Sequence, residues 1–219
     1  MSRPRGRRPI VSPPRPLVPL VLMAALLAGC GGDGDGGAAA SPPPTTTTPQ
    51  QPAKLPAGWN RRLDVRAGYS LGIPPGWRAQ DRGASTLIRS PDHLVAVSIV
   101  ADRTGDALAV PADQFATQVL AALPYQPSLN PGPAHRFGGT PLDGFSTDAS
   151  GQAAGGVEQR VTAVVLRHDG YVNYTVVVAA NAGRTPAAER AEALAMVRTL
   201  RDYPIGTAPG PSTGVEPKG

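Results

Sequence analysis

The feature that most restricts the fold is a pair of long runs rich in β-branched residues, at 157–167 and 171–180. Apolar side chains alternate along both runs, as they do in strands of a buried sheet. The shared faces are Val161, Ala163 and Val165 in the first run, and Val172, Tyr174, Val176 and Val178 in the second. His168-Asp169-Gly170 separates the runs, and Asp-Gly tolerates the positive φ of a tight turn. The pattern predicts a long antiparallel hairpin.

Shorter strands are predicted on both sides of this hairpin. Residues 69–73 alternate before Pro74-Pro75-Gly76-Trp77 stops them, and residues 85–89 form another short strand. The run at 94–100 has few polar positions, which favours an interior place in a sheet. A further strand is expected around Phe145.

Two segments have helical rather than strand periodicity. Over 111–123, with Pro111 near the start, one helical face carries Phe115, Val119, Leu120 and Leu123. A second helix is predicted to have Thr185 as N-cap and Pro186 at its first position. Its predicted apolar stripe consists of Ala187, Ala191, Leu194 and Val197 or Leu200. Antiparallel strands with helices packed against them make an α+β domain, expected over 58–203.

The stretch from Tyr69 to Trp77 fits the pattern Tyr-x-Leu/Phe-x-Ile/Leu-Pro-x-Gly-Trp. With the order of elements that follows it, the chain resembles the PsbP/Mog1/DcrB-like superfamily and is most similar to actinobacterial LpqN/LpqT-type lipoproteins. The resemblance implies a curved antiparallel sheet flanked by helices, and a role in binding or assembly rather than catalysis. It carries over no functional residue: Tyr69, Pro75, Gly76 and Trp77 are interpreted as structural.

The single cysteine, Cys30, lies at the end of a typical export signal. An apolar run at 17–29 follows a basic, Pro-rich segment and is shorter than the roughly 20 residues a membrane-spanning helix needs. Residues 1–29 are therefore predicted to be a signal peptide, and Arg7-Arg8 leaves Sec and Tat export both open. An ordinary signal peptide with an incidental cysteine is one reading of this segment.

The last residues of this signal, Leu27, Ala28, Gly29 and Cys30, resemble a bacterial lipobox. The resemblance implies that Leu27, Ala28 and Gly29 are recognised by signal peptidase II and that Cys30 is lipidated with palmitate-type chains. The mature protein would then be anchored at the extracytoplasmic face of the cell membrane.

Two segments have the composition of unfolded chain. Gly, Pro, Thr and Ala dominate after Cys30, so residues 30–57 are predicted to be a flexible tether. The threonines at 45–48 leave O-glycosylation and a plain spacer both open. The tail at 204–219 is predicted to be disordered.

The formal charge of +5 does not indicate nucleic-acid binding. Five of the 21 Lys and Arg residues precede Cys30 and no acid does, so the remaining 16 basic residues balance 16 acidic ones. The excess is confined to the predicted signal peptide: Arg3, Arg5, Arg7, Arg8 and Arg15. We therefore expect no nucleic-acid partner for the folded part.

No spacing in the sequence is typical of a catalytic or metal site. His93, His135 and His168 lack the i, i+4 spacing of zinc ligands, and one cysteine excludes an intramolecular disulfide. Gly144-Phe145-Ser146-Thr147-Asp148 lacks the second glycine of a nucleophile elbow. We expect no catalytic residue, no metal and no cofactor.

Four aromatic residues are candidates for lining a ligand groove, although filling the edge of a modest core is the preferred interpretation. They are Trp59, Tyr69, Trp77 and Tyr125. Three functions stay open: an envelope lipoprotein that binds a protein or lipid partner, a carrier or sensor of an apolar ligand, and a hydrolase whose residues meet only in the fold. We prefer the first.

Overall fold

The computed structural model describes residues 54–125, 127–168 and 171–203. The predicted signal peptide at 1–29, most of the tether and the tail at 204–219 lie outside the described residues. The elements are β1 (Asn60–Asp64), β2 (Tyr69–Ile73), β3 (Arg78–Arg82), β4 (Ser85–Arg89), β5 (Val95–Asp102), α1 (Ala112–Ala121), β6 (His135–Arg136), β7 (Asp143–Gln152), β8 (Glu158–His168), β9 (Val172–Asn181), α2 (Ala187–Arg198) and β10 (Arg201–Asp202). A single 3₁₀ turn, Asp106–Leu108, precedes α1.

The predicted hairpin forms the middle of a seven-stranded sheet. Its strand order is β3-β4-β5-β9-β8-β7-β6, and neighbouring strands are antiparallel. Strands β8 and β9 pair from Gln159 opposite Asn181 to His168 opposite Val172, which confirms the hairpin. Its turn residues Asp169 and Gly170 lie outside the described residues. The interior position predicted for the 94–100 strand is also confirmed, since β5 lies between β4 and β9.

Alternation along the hairpin gives the large sheet two buried faces. Val164 and Leu166 pack in one core with α2 and the small sheet, while Val161 and Ala163 pack in a second core with α1. The two helices therefore cover opposite faces. Because both faces are covered, nine of the ten residues of β9 are buried, and only Asn181 is partly exposed. The predicted α+β class is confirmed.

The helices match the sequence prediction unequally. In α1, Val119 and Leu120 are buried as predicted, and Phe115 is partly buried against them. Leu123 was predicted to lie in the helix but follows its last residue, Ala121, and is also partly buried. In α2 the predicted stripe is wrong in its first half. Val197 and Leu200, at the end of the predicted stripe, are buried as predicted. Ala187 and Ala191, at its beginning, are exposed, and Ala193 and Met196 are buried in their place.

The alanine-rich sequence of α2 explains why the first half of its buried stripe was predicted wrongly. Alanines occur on several of its faces, so the pattern alone does not identify the buried one. The N-cap prediction is also wrong by one residue. Pro186 occupies the N-cap position, and the Thr185 hydroxyl donates instead to the carbonyl oxygen of Leu94, at 3.3 Å.

A second, three-stranded sheet has the order β1-β2-β10. Its central strand contributes Tyr69, Leu71 and Ile73 to the core shared with α2. The sequence analysis missed β1, β3, β6 and β10. These are edge strands, and the side chains of NRRLD in β1 and RAQDR in β3 are mostly charged or polar. Those of β3 are largely exposed, and those of β1 are exposed or half-buried. Edge strands with exposed charges lack the alternation on which the prediction depended.

The turn after β2 explains the motif that ends in Trp77. The Trp77 N–H donates to the Pro74 carbonyl oxygen at 3.3 Å, and Gly76 has φ of 78°. A type II turn requires this geometry, with proline favoured at its second position and glycine at its third. The turn passes the chain from the small sheet to the large one and places Trp77 in the core, where its Nε1 donates to Glu192 Oε2 of α2 at 2.9 Å.

Candidate functional site

A polar groove lies between α2 and the outer strands of the large sheet. In the β7–β8 pair Ser150 is opposite Arg160 and Asp148 is opposite Thr162. Because side chains alternate along a strand, these four emerge on the face that packs against α2. We call this site the Arg160–Arg190 groove. It is a cavity of about 340 Å³ lined by Asp148, Ala149, Ser150, Arg160 and Arg190.

Arg190 of α2 forms the inner wall of this groove. Its Nη2 donates to Asp148 Oδ1 at 2.6 Å and to the Thr162 hydroxyl oxygen at 2.7 Å. The Thr162 hydroxyl donates in turn to Asp148 Oδ1 at 2.5 Å. The Nε–H of Arg190 is buried and has no partner among the described residues. Nη2 of the guanidinium is thus held by β7 and β8, and the group makes no other hydrogen bond within the part of the chain that the structure describes.

Arg160 forms the opposite wall and differs from Arg190 in having no fixed partner. Its side chain is exposed and makes no hydrogen bond or ion pair within the part of the chain that the structure describes. The lining therefore holds two guanidinium groups, one carboxylate and one hydroxyl. Such a set can exchange hydrogen bonds with a polar ligand but offers little apolar surface.

A second polar cluster ties the last strand to the hairpin. We call it the Asp202 cluster: Asp202, Arg103, His168, Tyr171 and Tyr174. Arg103 Nη2 lies 3.0 Å from Asp202 Oδ1, and His168 Nδ1 lies 3.2 Å from Asp202 Oδ2. The hydroxyls of Tyr171 and Tyr174 both donate to the same carboxylate. The side chain of Asp202 is only 4% exposed, so four groups surround a buried negative charge.

These contacts change the acidity of the cluster. Burial by itself would raise the pKa of Asp202, but hydrogen bonds from Tyr171, Tyr174 and Arg103 outweigh it, so the pKa lies below its ordinary value. The pKa of Tyr174 is raised, first by burial and then by its hydrogen bond and proximity to Asp202. The carboxylate is thus held ionised by groups that all point at it, an arrangement typical of a structural clamp.

The structure does not bring the four candidate aromatic residues together. Trp59, Tyr69 and Trp77 belong to the core with α2, where Tyr69 meets Tyr174 edge to face at 6.0 Å between ring centroids. Tyr125 packs in the core with α1, on the other side of the large sheet, and its hydroxyl bonds to Gln159. The Arg160–Arg190 groove is lined by none of them. The lipobox residues Leu27, Ala28, Gly29 and Cys30 lie outside the described residues.

The histidines lie on separate elements. His93 is in the β4–β5 turn with φ of 62°, His135 is in β6 at the sheet edge, and His168 ends β8. Within residues 54–203, where described, no three His, Cys, Asp or Glu side chains are grouped as metal ligands would be. Neither described helix is long and apolar enough to cross a membrane.

Sequence reasoning missed the groove residues, although part of the signal was present. Ser146, Asp148 and Ser150 recur at every second position of β7, which indicates a polar face. The pattern does not reveal that this face meets Arg190, because that contact joins residues 42 positions apart.

Comparison with known proteins gives a structural similarity only. No protein-family model and no curated protein sequence matches the chain. The solution structure of cyanobacterial PsbP (CyanoP) from Synechocystis sp. PCC 6803 is similar to this chain. The TM-score is 0.50, with 16% sequence identity, over 81% of this chain and 99% of CyanoP. The domain has a PsbP-like fold. This confirms the predicted resemblance at the level of fold, while the lipoprotein type stays a prediction.

Two further structures are similar to the PsbP-like domain at lower scores. LpqN of Mycobacterium tuberculosis, described as involved in cell envelope biogenesis, gives a TM-score of 0.43 and 18% identity over 62% of this chain and 83% of LpqN. The Ran-binding protein Mog1p of Saccharomyces cerevisiae gives 0.45 and 10% identity over 66% of this chain and 96% of Mog1p. At these scores neither protein's role transfers to this chain.

Proposed function

We propose that the chain is an extracytoplasmic lipoprotein, held on the cell membrane by lipid on Cys30, whose PsbP-like domain binds an envelope component without transforming it. The lipobox Leu27-Ala28-Gly29-Cys30 supports the anchor, and the Gly- and Pro-rich segment after it supports a tethered domain. The lipobox and most of the tether precede the described residues, so the proposal for the anchor depends on the sequence.

One observation carries the proposal of binding rather than catalysis. The buried ionised group of the Asp202 cluster is satisfied by its own neighbours, while Arg160 in the lining of the Arg160–Arg190 groove is exposed and makes no hydrogen bond or ion pair to a described residue. A catalytic acid or base must be free to exchange a proton with substrate. Uncommitted donors in a concave groove are instead typical of a binding site.

The two alternative functions have less support. A carrier of an apolar ligand calls for a cavity between α2 and the sheet, but Ala193, Met196, Val197 and Leu200 fill that interface and are inaccessible to solvent. A hydrolase calls for titratable groups with shifted pKa values in a cleft. The Asp202 cluster has such pKa values, yet Arg103 and both tyrosines converge on the carboxylate and hold strand β10 in place.

We expect Cys30→Ser to release the protein from membranes or to stop its processing, because serine cannot form the thioether that carries the lipid. Membrane and soluble fractions of the native host are compared by immunoblot, and mass spectrometry determines the mature N-terminus. Gly32→Ser, which leaves the lipobox unchanged, serves as the control. A Cys30→Ser protein that stays membrane-bound and is processed normally would contradict the anchor.

A further inference from the structure

We propose that the Arg160–Arg190 groove binds a phosphate group, as a phosphate monoester or diester. This inference deepens the proposed function by naming the ligand class. It rests on that function only for the source of the ligand, since the groove itself is formed entirely by described residues.

The charge around the groove favours an anion. Arg160 and Arg190 outnumber Asp148, the single acid of the lining. Neither glutamate of α2 lines the groove: Glu192 accepts from Trp77 Nε1, and Glu189 lies near Ser90 and Asp92. Positive charge is therefore left on the side of α2 that faces β7 and β8.

A further arginine extends this positive side along the helix. Arg198 lies two turns beyond Arg190, at the spacing that keeps both on one face of α2. It packs over the Phe137 ring at 4.9 Å and donates from Nε to the Gly138 carbonyl oxygen at 3.1 Å. Arg198 is thus fixed in place and adds to the positive potential without closing the groove.

The available donors suit tetrahedral oxygens. Nη2 of Arg190 is engaged by Asp148 and Thr162 and its Nε is buried, whereas Arg160 is exposed and makes no hydrogen bond or ion pair to any described residue. Glu158, two residues earlier on the same face of β8, makes no ion pair with Arg160 in this part of the chain. Two guanidinium groups on separate elements can bind different oxygens of one phosphate, and arginine forks suit phosphate well. The Ser150 hydroxyl adds a third donor.

Asp148 acts as an internal competitor in this arrangement. Its carboxylate occupies one edge of the Arg190 guanidinium, as an anionic ligand would, and it repels any anion that enters the groove. The cavity volume of about 340 Å³ is at the lower end of the range for small-molecule sites and admits a phosphate with a short substituent. Binding is therefore expected to be reversible and sensitive to the charge at position 148.

The first test measures phosphate binding to the full chain carrying Cys30→Ser, which removes lipid as a variable. Inorganic phosphate and glycerol 3-phosphate are titrated at constant ionic strength while amide chemical shifts are followed by NMR. We expect shifts at Ser150, Arg160 and Arg190, and Arg160→Gln to weaken binding by about fivefold or more. Arg78→Gln removes an exposed arginine of β3, which three strands separate from β8 in the sheet. This variant should change the affinity for phosphate less than about twofold.

The second test uses a matched pair of charge-neutral variants in β7. Asp148→Asn removes the competing charge and should strengthen phosphate binding about threefold or more. Asp143→Asn removes the same charge on the opposite face, where Asp143 pairs with Arg136, and should leave binding nearly unchanged. Equal effects of the two variants on phosphate binding would overturn the site, because equal effects indicate only general charge attraction.

A third comparison identifies where the phosphate comes from. Co-sedimentation with phosphatidylglycerol vesicles that is lost in Arg160→Gln supports a lipid headgroup, whereas binding of the soluble phosphates alone supports a free phosphorylated ligand. Binding of neither overturns the proposal. All three measurements use unlipidated protein, so their failure leaves the Cys30 anchor standing, and failure of the fractionation experiment leaves the groove standing.

Discussion

We expect Asp202→Asn to lower the free energy of unfolding by about 3 kcal/mol, as breaking a buried ion pair on one side does. The substitution keeps the shape of the side chain but removes the charge that Arg103, Tyr171 and Tyr174 all approach. It also leaves the Arg103 guanidinium without its carboxylate partner. For a domain of this size the melting temperature should fall by roughly 10 °C, and urea unfolding followed by circular dichroism checks the free energy.

Asp143→Asn is the matched control for this measurement. Asp143 also pairs with an arginine, Arg136, but both side chains are more than half exposed. Exposed ion pairs contribute about 0–1 kcal/mol, so its loss should change stability little. If Asp202→Asn is as mild as Asp143→Asn, the Asp202 cluster does not hold β10 to the hairpin.

The same cluster makes stability depend on pH in a defined direction. The pKa of Asp202 is lower in the folded protein than in the unfolded chain, so the unfolded chain binds more protons in acid. Asp202 therefore contributes fully to the free energy of unfolding when the pH is above the pKa of an unfolded aspartate, about 3.9. This contribution is lost as the pH falls through the pKa of Asp202 in the folded protein. Urea midpoints measured from pH 7 to pH 2 should fall less steeply in Asp202→Asn than in the parent protein.

Other carboxylates do not obscure this comparison. Asp81 and Asp92 also have lowered pKa values, through hydrogen bonds from Arg62 to Asp81 and from the Leu94 backbone and Ser90 to Asp92. Both contribute to the acid sensitivity of the parent and of the variant alike. Parallel curves for the two proteins would show that Asp202 does not titrate differently on folding.

The sequence predicts the interior of this fold better than its edges. Alternating Val and Ala residues identified β8 and β9 because both faces of these strands are covered, so burial dictates their composition. Strand β3 reads RAQDR and strand β10 consists of Arg201 and Asp202. Both strands form because a neighbouring strand offers its backbone for pairing. The side chains of β3 reflect solvent exposure, and the two residues of β10 are too few to show alternation.

The candidate site was less accessible to sequence reasoning than the fold. In the groove, Asp148 of β7 contacts Arg190 of α2. In the Asp202 cluster, Arg103 contacts Asp202, which lies 99 positions later in the sequence. Each polar residue is unremarkable in its local sequence. Aromatic residues were the more visible candidates, but large apolar rings are most often needed to fill a core, as Tyr69 and Trp77 do here.

We expect Trp77→Ala to lower the free energy of unfolding by about 3–5 kcal/mol, the usual cost of truncating a buried aromatic residue. Trp77 is 7% exposed and belongs to the core with α2. The variant loses that packing and leaves Glu192 of α2 without its hydrogen bond from Nε1. The change in unfolding midpoint, measured by urea titration at neutral pH, gives the cost directly.

Two further variants separate the packing of the Trp77 ring from its hydrogen bond and test whether Trp77 is structural. Trp77→Phe keeps much of the ring but not the hydrogen bond, so it should cost less than half as much as Trp77→Ala. Trp59→Ala truncates a partly buried tryptophan at the border of the same core and should cost less than Trp77→Ala because less surface returns to water. If Trp77 instead lines a ligand groove, its truncation should leave the unfolding midpoint almost unchanged. A large loss of stability would assign a structural role to the turn Pro74-Pro75-Gly76-Trp77, because its geometry places the tryptophan against α2.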